Sequence, residues 1–170
     1  MKNSNQTKQD TFQKQLKTFE KLLIGAKMAK LSSFILIGVS IGLAIRYREN
    51  NLYVMLLLMG ILAIVFFIDK FLSLKDIKQK SYTQTSLVSS ISKFKTYMNN
   101  RKKYEMYFIA FWVLTLIPSA SIHFDSNVSG ILSISAYISF VGVFGYISYK
   151  KTEKEIASLE STMAYELQLQ

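Results

Sequence analysis

Four stretches of this chain contain no Asp, Glu, Lys, Arg or His: residues 31–45, 52–68, 106–122 and 130–149. Nothing else in the sequence restricts its fold as strongly. A helix of 17 residues rises about 26 Å, just short of a hydrocarbon core of about 30 Å. The first run is the shortest, and Lys30 and Arg46 at its ends can snorkel to bridge the difference. The second holds twelve Leu, Ile, Val or Phe residues. At about −0.3 to −0.6 kcal/mol each, they favour insertion by about 4–7 kcal/mol, an upper limit. A soluble protein with four fully buried helices would need amphipathic helices to cover them, and 170 residues leave almost none. The expected class is all-α: an integral membrane four-helix protein built as two antiparallel transmembrane hairpins with cytoplasmic amphipathic helices.

The charges sort around these runs. Residues 1–30 carry seven Lys, residues 70–105 carry nine Lys or Arg, and three Lys follow Tyr149. Only Arg46 and Arg48 fall on the other side of a four-span threading, so the positive-inside rule places both termini and the central loop in the cytoplasm. Tyr104, Tyr107, Tyr146 and Tyr149 mark the inner interface and Tyr53 the outer. The polar first thirty residues do not read as a cleavable signal peptide. The expected location is the bacterial inner (plasma) membrane. The net charge of +10 is then a topology and lipid signal, directed at anionic headgroups of the cytoplasmic face, with no nucleic acid as partner.

These boundaries divide the chain into a basic N-terminal arm (1–30), hairpin 1 (31–69), a cytoplasmic helical loop (70–105), hairpin 2 (106–149) and an acidic amphipathic tail (150–170). In the arm, Asp10 is the expected N-cap and Gln13 completes a capping box, with the first nine residues disordered. Phe12, Leu16, Phe19 and Leu23 form the apolar face, opposite Lys14, Lys17 and Lys21. In the loop, Phe71, Leu74 and Ile77 extend the second span, residues 81–86 break it, and Thr85 or Ser86 caps a new helix that Asn99 and Asn100 interrupt. Its stripe Leu87, Ile91, Phe94 and Met98, with Arg101, Lys102 and Lys103, is the expected partner or lipid contact. In the tail, Ile156, Leu159, Met163 and Leu167 share one face, beside Glu155, Glu160 and Glu166. The arms pack together or with those of a second copy along these seams, or lie as independent surface helices.

Within the spans, Gly38 and Gly42 form a GxxxG pair, and Ser135, Ser139, Gly142 and Gly145 a second small-residue stripe. Such residues let helix backbones approach in lipid, within one bundle or between two copies. Pro118 is expected to kink the third span, freeing the carbonyl of Leu114, with Thr115 or Ser119 rebonding the local backbone. The chain has no Cys and one His. His123 beside Asp125 makes neither a metal site nor a triad. Asn127-Val128-Ser129 matches a glycosylation acceptor by pattern only. No ionisable group lies inside a span, as a proton relay or ion path would require. No cofactor is expected.

A polar break at Ser81-Tyr82-Thr83 follows a Leu-rich span. An amphipathic helix comes next, and then Arg101-Lys102-Lys103-Tyr104-Glu105-Met106-Tyr107-Phe108 enters a span containing Pro118. In this order of features, residues 52–118 resemble small four-span membrane proteins of Bacteroidota. That group has no established activity, so the resemblance implies a fold and nothing catalytic. The expected function is non-enzymatic: a membrane-anchored scaffold or regulatory subunit presenting cytoplasmic helices to a protein partner. The alternative is a small transporter or channel subunit acting as a homo-oligomer.

Overall fold

A computed structural model describes residues 2–168, with side chains from 9 to 164. The described residues fold into five helices: α1 (Lys2–Arg46), α2 (Asn51–Phe71), α3 (Gln84–Leu114), α4 (Ile117–His123) and α5 (Asn127–Gln168). Three of them, α1, α2 and α5, are long and apolar enough to cross a membrane. The pair α3 and α4, bent by 44°, gives a fourth crossing if it counts as one span.

The described fold is wholly helical, and its helices run further than local signals imply. Because α1 begins at Lys2, Asp10 lies inside it and caps nothing, and residues 2–9 are helical. A 45-residue helix fixes its own start poorly, because each added residue gains a hydrogen bond and only nucleation is costly. Asn99 and Asn100 likewise fail to interrupt α3. Their propensity deficit of under about 0.7 kcal/mol each is small against burial of the flanking Tyr97 and Met98. The expected boundaries at 30/31, 105/106 and 149/150 all fall inside continuous helices.

Between α2 and α3 the chain is irregular. The second span does not continue through Leu74 and Ile77, since α2 ends at Phe71. Leu72 and Ile77 are nevertheless buried, folding the segment back over the helices. The Tyr82 hydroxyl donates to the Ile77 carbonyl (3.3 Å) and accepts from the Gln79 amide (3.2 Å). The cap of α3 is Thr83, neither Thr85 nor Ser86. Ser86 stands at N3 and closes a reciprocal capping box with Thr83.

Pro118 does mark a break. It sits at the start of α4, after a two-residue gap, and the Thr115 hydroxyl donates to the Trp112 carbonyl at 2.6 Å. After α4 the chain reverses in three residues. The Ser126 amide donates to the Ser121 carbonyl and the Asp125 amide to the Ile122 carbonyl. That is a Schellman turn, with Asp125 in the left-handed conformation (φ 50°).

The molecule has two ends of opposite character. At the apolar end, α1 packs on α2, α2 on α3, and α4 on α5, and large side chains such as Leu52, Leu62, Phe140 and Phe144 face outward. A run of rings from Phe67 and Phe71 to Tyr104 and Phe108 joins α2 to α3. The buried Trp112 indole donates to Ser40 on α1 at 2.7 Å. At the polar end, the extensions of α1, α3 and α5 form a three-helix bundle. Phe19, Leu22 and Leu23 of α1 join Leu87, Ile91 and Phe94 of α3 and Ile156, Leu159 and Met163 of α5 in one core. Leu167 and Glu166 of the tail stripe lie outside the described side chains.

Gln15 is among the buried polar residues that oppose this packing. Gln15 is 4% exposed, and among the described residues neither atom of its amide has a hydrogen-bond partner. An unpaired buried amide costs about 1–3 kcal/mol. Gln15→Leu is therefore expected to stabilise the bundle by about 1 kcal/mol, read as a raised thermal midpoint. A lowered midpoint would show that the amide is bonded in solution.

Candidate functional site

The structure corrects the reading of the α3 stripe. Leu87, Ile91, Phe94 and Met98 are between 0% and 6% exposed. Phe94 meets Phe19 of α1 edge-on at 5.8 Å. An amphipathic face does not state what covers it, and here the chain's own arms cover most of it, so the stripe is an internal seam, with Phe94 and Met98 also lining a groove between α1 and α5. Two of the cations following it are paired as well: Arg101 with Glu105, and Lys102 with Glu153 of α5. Lys103 lies over the Tyr104 ring at 5.3 Å.

The small residues separate into two groups. Gly38 and Gly42 face open space: a Cβ on either would meet nothing within 4 Å. They therefore pack on no other helix among the described residues. Ser135 and Ser139 are exposed, and the Ser139 hydroxyl bonds back to the Ser135 carbonyl at 2.9 Å. Gly142 and Gly145 lie beside Met106 of α3. The tightest approaches fall elsewhere. Gly60 of α2 sits against Thr115 and Trp112, and Gly130 of α5 against the backbone of Ser121.

Where the polar bundle meets the apolar end, the structure concentrates buried charge. Arg101 Nε donates to Glu105 Oε2 at 2.7 Å and Nη2 to Oε1 at 2.8 Å, a bidentate pair four residues apart on α3. The Tyr149 hydroxyl of α5 donates to the same carboxylate. The Arg101 guanidinium also lies 5.5 Å from the centre of the Tyr149 ring. The two charged side chains are only 14% and 15% exposed. Burial works against the Arg101 charge, but the hydrogen bonds and charge of Glu105 outweigh it and raise the guanidinium pKa. Burial also raises the pKa of the neighbouring Tyr97 hydroxyl, against the opposing pull of Arg101.

This cluster lies in a groove of about 530 Å³ between α1 and α5, with α3 as its floor. Lys21 of α1 and Lys151 of α5 stand on its walls. Its composition changes along its length, from a mixed part, where Arg101, Glu105 and Thr152 stand beside Phe94 and Met98, to an uncharged part with Ile109, Phe140 and Phe144. The sequence marks Arg101 as an expected partner or lipid contact and does not show its bonds to Glu105 and its contact with Tyr149. The spacing of Arg101 and Glu105 was the available signal; the arrival of Tyr149 from a helix 44 positions away was not.

His123 and Asp125 remain together at the far end of the molecule. His123 closes α4 and packs edge-on against Phe124 at 5.1 Å, and Asp125 shapes the reversal. No family model, curated protein or solved structure matches this chain.

Proposed function

We propose that the protein is a four-span integral membrane protein of the bacterial inner membrane, with both termini and the polar bundle in the cytoplasm. It acts as a non-enzymatic scaffold or regulatory subunit that presents the bundle to a protein partner. One observation carries this reading: α1, α3 and α5 each run unbroken between the bundle and the apolar end, α1 and α3 leaving the bundle and α5 entering it. Such helices couple the bundle rigidly to the spans. The apolar seam of the bundle is closed, so a partner meets its charged outer surface. On α1 that surface carries Lys14, Lys17 and Lys21, and on α5 it carries Glu153.

The chain lacks Cys, so single-Cys variants report topology without background. Lys75→Cys, in the loop after α2, is expected to react with an impermeant maleimide only after the membrane is opened. Glu49→Cys, between α1 and α2, is expected to react in intact cells. The reverse pattern would invert the orientation. For the function itself, crosslinking in native membranes should capture a stoichiometric partner through Lys14 or Lys17 positions. Ion or solute flux through reconstituted liposomes, with no partner captured, would replace the scaffold with a transport role.

A further inference from the structure

We infer that the groove between α1 and α5 binds one anionic glycerophospholipid from the cytoplasmic leaflet. The inference rests on the membrane placement proposed above and goes beyond the scaffold role. Along α3 the groove extends from Phe94 to Ile109, about 22 Å of helix. It crosses the point where the uncharged run 106–122 begins. On the bundle side of that point all the charged groups of the groove stand, among Leu22, Phe94 and Met98; on the other side the lining is uncharged, with Met106, Ile109, Phe140 and Phe144. A phospholipid changes polarity in the same direction, at the same depth in the membrane.

The charge of the groove selects the headgroup. Lys21 and Lys151 stand on opposite walls, both exposed, and neither has an ion-pair partner among the described residues. Arg101 on the floor commits one N–H of Nε and one of Nη2 to Glu105, which leaves further N–H groups. Glu105 is engaged by Arg101 and Tyr149, and Glu155 is the remaining carboxylate of the groove. Three cations against two carboxylates leave one positive charge, which a phosphodiester neutralises. A soluble phosphate would leave the apolar half uncovered. A lipid covers it with its first methylenes, and its chains continue past Phe140 and Phe144, which are 61% and 59% exposed. The volume is that of an ordinary small-ligand site.

The test uses the full-length protein, delipidated in neutral detergent and titrated with matched-chain phosphatidylglycerol or phosphatidylcholine under native mass spectrometry. One phosphatidylglycerol per chain is expected to bind, with about tenfold preference over phosphatidylcholine. The soluble headgroup glycerophosphoglycerol should not compete. Lys21→Gln with Lys151→Gln should weaken phosphatidylglycerol binding about tenfold or more. Gly145→Leu should abolish it by filling the groove. A Cβ there meets only Met106 Sδ, at an ordinary contact distance of 3.9 Å, so the substitution brings no clash at the backbone. Lys14→Gln with Lys17→Gln should bind like the parent, and unchanged circular dichroism should accompany each variant. Equal retention of the two lipids, unchanged binding by the Lys21 and Lys151 variant, or competition by the soluble headgroup would overturn the assignment. Purification as a water-soluble monomer would remove the membrane placement and this proposal with it, whereas failure in detergent-dependent protein removes the lipid site alone.

Discussion

Glu105→Leu is expected to destabilise the protein by about 3 kcal/mol, the low end of the range for removing one member of a buried ion pair. The mechanism is the charge left behind. Arg101 is 14% exposed and cannot shed its proton, so without Glu105 it remains an uncompensated cation among Tyr97, Phe94 and Tyr149. Tyr149 loses its acceptor in the same step. The groove admits some water to Arg101, which keeps the cost from the upper end of the range. Replacing both partners, Arg101→Met with Glu105→Leu, is expected to recover most of the loss, because the desolvation cost disappears along with the attraction. The exposed pair Lys95–Glu160, 52% and 36% exposed, provides the contrast: Glu160→Gln should change stability by less than about 1 kcal/mol. Thermal midpoints in detergent read all three. Hydrogen exchange adds location, since loss of the Tyr149 bond should loosen α5 from that residue onward. If Glu105→Leu costs no more than Glu160→Gln, Arg101 is solvated and the cluster is an ordinary surface pair.

This cluster marks the limit of what could be read from the residues alone. The uncharged runs announced the apolar helices because exclusion of charge over 15 or more residues is a global property that no local competitor erases. Pro118 announced its break because a missing N–H cannot be repaired by context. Terminal signals were weaker. Asp10 has the chemistry of a cap but lies inside a helix that continues on both sides, and Thr85 or Ser86 reads as the cap of α3, whereas the cap is Thr83 and Ser86 serves it from N3. The amphipathic stripes of residues 11–30, 87–98 and 156–163 were legible as apolar faces. Periodicity says that a face is covered, and not by what, so Leu87 and Phe94 read equally well as a docking surface or as a seam. The Arg101 groove depends on three helices converging from distant parts of the chain, and no window along one of them contains it.

The glycines make the same distinction measurable. Gly130→Ala is expected to cost about 3 kcal/mol, the upper end for an overpacked site. A Cβ there would lie 2.7 Å from the Ser121 amide nitrogen and 2.8 Å from its Cα. These are backbone atoms of α4, held in place by a three-residue Schellman reversal and by the Ser126 amide bond to the Ser121 carbonyl. A flexible side chain could swing away, but this contact can relax only if α4 and α5 separate. For a chain of this size the expected fall in thermal midpoint is about 6–12 °C. Gly38→Ala provides the opposite test on the motif that is more conspicuous in the sequence. Its Cβ would meet nothing within 4 Å, so the only local effect is the gain in helix propensity, up to about 1 kcal/mol in favour of Ala. A midpoint equal to or above the parent's is expected for Gly38→Ala, beside a marked drop for Gly130→Ala. If Gly38→Ala instead destabilises in a concentration-dependent way, a second copy packs on the GxxxG face of α1. If Gly130→Ala is neutral, the close crossing of α4 and α5 is not held in solution. The lone glycine, and not the paired motif, is where this fold brings two helices into backbone contact.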